Sequence, residues 1–490
     1  MLAITARLVP GPRTIDDAYI TFRYAQNLLS GNGLVYNPGE AVLGTTTPVY
    51  AVVMAGLALL MGGAQAPFPL LALVVNALAD AASCWLLVRL GEGLGSRRAG
   101  LAAGLIWAVA PMSVTFAIGG METSVFILLA LGTFYFHSSD RPVAAAFTGA
   151  GCLLTRPDAL LLLAPLGVER LRRSLPAGRL NRDRRPITVG EALAFLVPVA
   201  TWAVVGTLVY GNPIPHSILA KVTAYQLPQE SALVRLLQHY STPFQEEVAF
   251  GVWVIGLGLV LYPALYVLGS LRVLRQQPKA WTVLVYPWIY LAAFALANPL
   301  IFRWYLAPPL PVYFLGVFLG ADRIAQDLRR PAILAVAAGA AFVITLNAWT
   351  LSPDHGPQRA APEMAFVRLE LLYEQVGREL RDEIAPGEVL AAGDVGALGY
   401  YSGALVLDTV GLISPQSVPY YPLPATDYVI NYAIPAQLIL DQQPDVLVIL
   451  EVYGRRSLLP DPRFEAAYSL ERRIPTDLYG SRGMLVFRRR

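Results

Sequence analysis

With 490 residues, 55% hydrophobic and only 14% charged side chains, and a mean hydropathy of +0.51, the chain is too apolar for an ordinary soluble protein. It has the length for several membrane spans plus one water-soluble part. A net charge of +3 gives no global basic field, which argues against a nucleic-acid partner.

The stretch from Met1 to Pro12 is too poor in apolar residues for a cleavable signal, and no span is expected before Asp16. Asp16 and Asp17 then open a short helix in which Ile20, Tyr24 and Leu28 recur at i, i+4 and i+8 and Gly31 supplies a stop. Such a helix would lie along the membrane surface. One Asp at this position would simply cap the helix and complement its dipole. Two in tandem permit a division of labour: one accepts a proton from an incoming hydroxyl, while its neighbour orients it, binds a cation, or raises its pKa by repulsion. Residues 48 to 62 are also apolar, but a span there would put Asp16 on the cytoplasmic side, so this stretch is expected at the outer interface.

Stretches near the ~20 residues that cross a bilayer fall at about 67 to 90, 99 to 116, 122 to 137, 189 to 210, 248 to 271, 280 to 297, 303 to 320 and 331 to 350. Residues 142 to 168 are apolar too, but Arg156-Pro157-Asp158 interrupts them. They are expected as a short up-and-down pair, since a lone charge at mid-membrane costs roughly 2.5 to 3.5 kcal/mol and needs a partner or water. Cys84 and Cys152 both lie in apolar segments, as small buried side chains rather than a disulfide or metal pair. Asp80, inside the first span, reads as a pairing residue.

Arginine and lysine in the short loops set the orientation. Arg97 and Arg98, the arginine run from Arg170 to Arg185, Arg272, Arg275 and Lys279, and Arg323, Arg329 and Arg330 would be cytoplasmic. Asp16, the loop at Glu122, residues 211 to 247, the turn at Arg303 and everything after Leu351 would be outside. From Ser352 the composition turns globular, with an amphipathic helix over Pro362 to Ile384 and buried strands at Val389 to Ala392, Leu405 to Leu407 and Val446 to Leu450. Gly393-Asp394-Val395-Gly396-Ala397-Leu398-Gly399 follows a strand, but its spacing is not that of a dinucleotide loop, and no nucleotide cofactor is expected.

Other outer polar residues have two readings each. Only Lys221 and Lys279 are lysine among 37 basic residues, so a lysine kept at 221 is either a solvated loop residue or a compact ammonium for a phosphate oxygen. Arg303 could snorkel or join Lys221 on a lipid-linked phosphate. Glu122 is either a simple N-terminal acid of its span or a third carboxylate at the same cavity. His216, alone, reads more readily as a polar loop residue than as a ligand.

The ordered set Asp-Asp-Ala-Tyr-Ile-Thr-Phe-Arg-Tyr-Ala-Gln-Asn-Leu, Gly-Asn-Gly-Leu-Val-Tyr-Asn-Pro-Gly-Glu, Gly-Met-Glu-Thr, Leu-Thr-Arg-Pro-Asp, Gly-Asn-Pro-Ile-Pro-His-Ser-Ile-Leu-Ala-Lys and Arg-Trp-Tyr-Leu-Ala-Pro resembles the GT-C superfamily of integral-membrane glycosyltransferases. Within it, the chain looks most like terminal arabinofuranosyltransferases and mannosyltransferase-like bacterial proteins. The resemblance implies a polytopic α-helical membrane protein of about ten spans here. Residues 1–350 would form the catalytic membrane domain, with outer juxtamembrane helices at 16–62. Residues 351–490 would form an extracytoplasmic soluble α/β domain. It further implies a polyprenyl-phosphate-linked sugar as donor, a hydroxyl on a glycan, lipid or protein as acceptor, and transfer at the outer face of a bacterial plasma membrane in cell-envelope glycan biosynthesis. Asp16 would be the base. Asp17 and Glu122 would bind a divalent cation (Mg or Mn) or the acceptor, with His216 assisting, and Lys221 and Arg303 would hold the donor phosphate. Two departures stand out: relatives carry a span before the acidic pair, and His216 stands where they have Asn or a similar residue. A transporter or lipid flippase is the rival reading, but the inverted-repeat symmetry it predicts is not found. A carbohydrate-binding membrane scaffold is the other, and it would leave Asp16 dispensable.

Overall fold

The computed structural model describes all residues except 175–184, 245–250, 353–358, 363–364 and 366. Parts of the arginine-rich loop, of the 211 to 247 stretch and of the chain after Leu351 therefore lie outside the described residues. The chain divides into two compact units. One holds residues 1–13, 69–202 and 229–366; the other gathers 14–68, 203–228 and 367–490.

The first unit is helical. Among the described residues three helices are individually long and apolar enough to cross a bilayer: Phe68–Gly93, Val189–Tyr210 and Val252–Gln276. Two more crossings are counted if the bent pairs Arg97–Val109 with Pro111–Ile118 (47°) and Pro278–Leu284 with Tyr286–Ala297 (41°) each make one span. By length and composition three to five helices among the described residues are able to cross a bilayer, beside the ten spans expected. The difference has a cause. Prolines at 111 and 287 open new helices within continuous apolar sequence. Thr123–Ser138 (16 residues), Pro142–Thr155 (14) and Ala332–Asn347 (16) are short of a full crossing. The interruption expected at Arg156-Pro157-Asp158 is present as a 3-10 turn between Pro142–Thr155 and Leu160–Ser174.

The buried charges of Arg7 and Asp80 in this unit are paired with each other. Asp80 accepts from Arg7 Nε (2.8 Å), Ser124 (2.8 Å) and Trp107 (3.2 Å), while Arg7 also reaches the carbonyls of Ala3 and Ala108 and the Ser113 hydroxyl. The first helix, Leu2–Leu8, is tied in this way to the long helix carrying Asp80. Elsewhere Val252–Gln276 and Leu310–Asp327 meet backbone to backbone through Gly269, Gly316 and Gly320, the small-residue spacing that lets apolar helices approach closely. A methyl at Gly269 would come within 2.6 Å of the Gly320 nitrogen, and one at Gly320 would overlap the Leu265 carbonyl. Gly320→Val is expected to destabilise the chain by about 1–3 kcal/mol through overpacking, read as a lower melting temperature in detergent.

The second unit contains a five-stranded mixed sheet. After the hairpin β1 (Trp349–Ser352) and β2 (Arg359–Pro362) of the first unit come β3 (Val389–Ala392), β4 (Leu405–Asp408), β5 (Val446–Leu450), β6 (Tyr468–Ile474) and β7 (Met484–Arg489). Their order is β4-β3-β5-β7-β6, with β3 parallel to β4 and β5, and β7 antiparallel to β5 and β6. The three buried strands expected from sequence are present, and the amphipathic helix runs from Arg368 to Glu383. The early segment of the chain is stitched to this sheet. Arg23 donates to the carbonyls of Tyr36, Gly399 and Ala404, and the Asn37 side-chain amide both donates to and accepts from the Val406 backbone at 2.8 and 3.0 Å, extending the edge strand β4. The helices Asp16–Leu29, Pro48–Ala58 and His216–Ala224 complete the unit.

Candidate functional site

The helix expected at the acidic pair begins at Asp16 and ends at Leu29, with Ile20 and Tyr24 buried and Gly31 at φ +82° just beyond its end. Its N-cap, Ile15, has no side chain able to accept from the first amides. The Asp16 amide lies beside the carboxyl of Glu370, in the first turn of Arg368–Glu383, and works against the rise of that acid. The Asp16 carboxylate in turn accepts from the Gly396 amide at 2.9 Å and the Ala397 amide at 2.7 Å, one on each oxygen. Asp17 instead faces a cation, with Lys221 Nζ 3.7 Å from Oδ2 and both side chains partly exposed (29% and 20%). Asp394 follows β3 and accepts from the Tyr373 hydroxyl at 2.6 Å.

Four carboxyl groups, Asp16, Asp17, Glu370 and Asp394, thus act on one another. Burial raises Asp16 well above its usual range, and the charges of Asp394 and Asp17 add to the rise against the two backbone hydrogen bonds. Burial likewise pushes Asp394 up to about 6. Glu370, with Oε2 buried and without a hydrogen-bond partner, is pushed up from 4.5 to about 8, chiefly by burial. Between those two pH values the folded chain retains a proton on Glu370 that the unfolded chain has lost. Stability contributed at this position therefore falls as pH rises from 4.5 to 8. Glu370→Gln is expected to flatten that slope, read as melting temperature against pH in both proteins.

The remaining sequence candidates are distributed as follows. His216 opens the helix that carries Lys221, its amide donates to the Leu43 carbonyl at 2.8 Å, and burial lowers its imidazole below the usual range. Its Nε2 is buried without a hydrogen-bond partner. Glu122 and Arg303 belong to the first unit. Glu122 is buried and its carboxylate accepts from Arg156 Nη1 at 2.9 Å. Arg156 also holds Asp158 through Nε at 2.9 Å and Nη2 at 3.0 Å, and Tyr290 donates to the same carboxylate. Arg156 is thus the shared partner of Asp158 and Glu122. Arg303 is exposed in the turn Arg303–Tyr305.

A divalent cation does not fit this arrangement. Among the described residues no group of three or more His, Cys, Asp or Glu side chains is arranged to hold a metal, and the expected ligands Asp17 and Glu122 are engaged by Lys221 and Arg156. Sequence reading missed Glu370 and Asp394. The available signal was the stretch around Asp394, with glycines three residues apart, set aside there because it does not match a nucleotide loop.

Solved structures match nearly the whole chain. ArnT from Cupriavidus metallidurans, bound to undecaprenyl phosphate, aligns over 99% of this chain and 95% of its own at a TM-score of 0.57 and 13% identity. The archaeal oligosaccharyltransferase AglB from Archaeoglobus fulgidus, in complex with an inhibitory peptide and a dolichol-phosphate, aligns over 96% of this chain and 71% of its own at a TM-score of 0.55 and 12% identity. This chain has the GT-C fold. At these identities the likeness carries the GT-C fold alone. In sequence, a terminal beta-(1->2)-arabinofuranosyltransferase of Mycobacterium tuberculosis is 32% identical over 232 residues, 43% of this chain. The match spans only 35% of that relative's length. Residues 363–487 match a domain of unknown function, DUF8728, so that Glu370, Asp394 and Gly396 all fall within it.

Proposed function

We propose that the chain is a membrane glycosyltransferase that moves a sugar from a polyprenyl-phosphate-linked donor to a hydroxyl of a glycan, lipid or protein at the outer face of a bacterial plasma membrane. The observation that carries this reading is the tandem acid pair with the Lys221 ammonium 3.7 Å from Asp17, in a chain with the GT-C fold. Two proteins of that fold are bound to undecaprenyl phosphate and dolichol-phosphate, which supports the donor class. The curated relative supports transfer of a sugar.

Lipid-linked phosphate is a good leaving group once fixed cations meet its charge, so the protein mainly supplies a base and electrostatic stabilisation. The resemblance gives the base role to Asp16. Both oxygens of Asp16 are already bound by backbone amides, so Asp17, partly exposed, is the carboxylate open to an incoming hydroxyl and Asp16 its fixed neighbour. Asp17 takes the proton of the attacking hydroxyl, whose oxygen bonds to the anomeric carbon. The bond from that carbon to the phosphate oxygen breaks, and polyprenyl phosphate departs with its charge met by Lys221. Attack opposite the phosphate inverts the anomeric centre. No step is assigned to a metal ion. His216 Nε2, buried and without a partner, is a candidate contact for a sugar hydroxyl.

The test reconstitutes the full chain in vesicles with a labelled polyprenyl-phosphate sugar and an acceptor. Free polyprenyl phosphate and a new glycosidic bond, inverted by NMR, are the expected products. Movement of intact donor lipid across the bilayer without bond formation would favour a flippase instead.

A further inference from the structure

The segment matched as a domain of unknown function makes two hydrogen bonds to the first residue of the acidic helix. They run from the Gly396 and Ala397 amides to the Asp16 carboxylate, and the Glu370 carboxyl lies beside the Asp16 amide. The approach is close enough to dictate residue type. A methyl at Gly396 would overlap the Asp16 carbonyl oxygen and come within 2.7 Å of Oδ2. The glycines at 393 and 399 are explained the same way, since a methyl at Gly399 would overlap the Tyr36 hydroxyl and one at Gly393 would lie 2.9 Å from the Tyr432 ring. The Val395 carbonyl, within the same turn, accepts from Tyr36. Gly396 and Gly399 thus leave the room into which the acidic helix and its following loop settle, and Gly393 leaves room for the Tyr432 ring. A fourth contact acts without touching Asp16: Asp394, fixed by Tyr373, raises the Asp16 carboxyl by its charge.

We infer that Gly396, Ala397 and Glu370 are positioning residues of the acid pair, holding the start of the Asp16 helix so that Asp17 is aimed at the acceptor hydroxyl. The inference rests on the glycosyl-transfer reading above for its catalytic consequence. Misplacing a catalytic group by about 1 Å costs about 10²-fold in rate. A positioning role therefore predicts a loss in kcat rather than in donor affinity.

The test uses the full-length protein. Gly396→Ala is expected to lower kcat by about 10²-fold with the donor KM within about threefold of wild type. Glu370→Gln, nearly isosteric, keeps a carbonyl oxygen beside the Asp16 amide. It is expected to lower kcat by about tenfold and to move the pH profile of kcat, which a merely structural residue would leave in place. It also decides the matter if Gly396→Ala does not fold. Hydrogen exchange over 393–402 reads the seat without turnover. Asp16→Ala removes one charge from a set of like charges, so the fold should persist while the Gly396 and Ala397 amides exchange faster. Unchanged exchange there, or wild-type kcat in Glu370→Gln, would overturn the inference. A wild type inactive on every donor would instead overturn the glycosyl-transfer reading, while the exchange measurement still decides whether Asp16 is seated on these residues.

Discussion

Asp17→Asn is expected to lower the rate of sugar transfer by about 10²- to 10⁴-fold, the range lost when a positioned general base is removed, while leaving the melting temperature near that of wild type. The stability half follows from exposure. Asp17 is 29% exposed and pairs with Lys221 only at 3.7 Å, a contact of the kind that contributes between nothing and about 1 kcal/mol. Asp16→Asn should behave differently. Its amide nitrogen would face one of two backbone amides that now donate to it, leaving a donor opposed to a donor and lowering both stability and turnover. Measured side by side, the two variants separate base from anchor. If Asp16→Asn abolishes transfer at unchanged melting temperature while Asp17→Asn retains most of it, the roles are reversed.

The largest stability effect is expected in the first unit. Arg156 lies between two carboxylates, Glu122 and Asp158, with 3% of its side chain exposed, and its guanidinium also stands over the rings of Tyr305 and Phe126 at 5.0 and 5.5 Å. Arg156→Leu would strand both acids in an apolar setting. Breaking a buried pair by removing one partner costs about 3–5 kcal/mol, because the remaining charge keeps its desolvation penalty and loses its compensation. The expected result is loss of monodisperse protein or a sharply lower melting temperature. Neutralising the stranded acids in the same chain, with Glu122→Gln and Asp158→Asn, should restore most of it. A single variant as stable as wild type would mean that water or another cation already serves these carboxylates.

Local features were well legible in the sequence. The start and end of the acidic helix, the interruption at Arg156 and the three buried strands β3, β4 and β5 follow from acids in a first turn, a terminal glycine, proline and continuous apolar runs. Lys221 stood out by its rarity, and it does come beside Asp17. The span count was less legible, since hydropathy averages over proline-initiated bends such as those before Pro111 and at Tyr286. Strands β6 and β7 went unseen because β6 alternates charged residues on its exposed side and β7 ends in arginines, which mutes the apolar signal. Glu370 and Asp394 were beyond reach for another reason. Each lies more than 350 positions from Asp16, a separation across which no local periodicity reports a contact.

The most direct test of the account measures polyprenyl phosphate released by the purified protein from a panel of synthetic polyprenyl-phosphate sugars, with an acceptor present and Asp17→Asn assayed alongside. The account predicts release from at least one donor by the wild type and a loss of about 10²-fold or more in the variant. No release from any donor by demonstrably folded protein, or equal release by the two proteins, would contradict it.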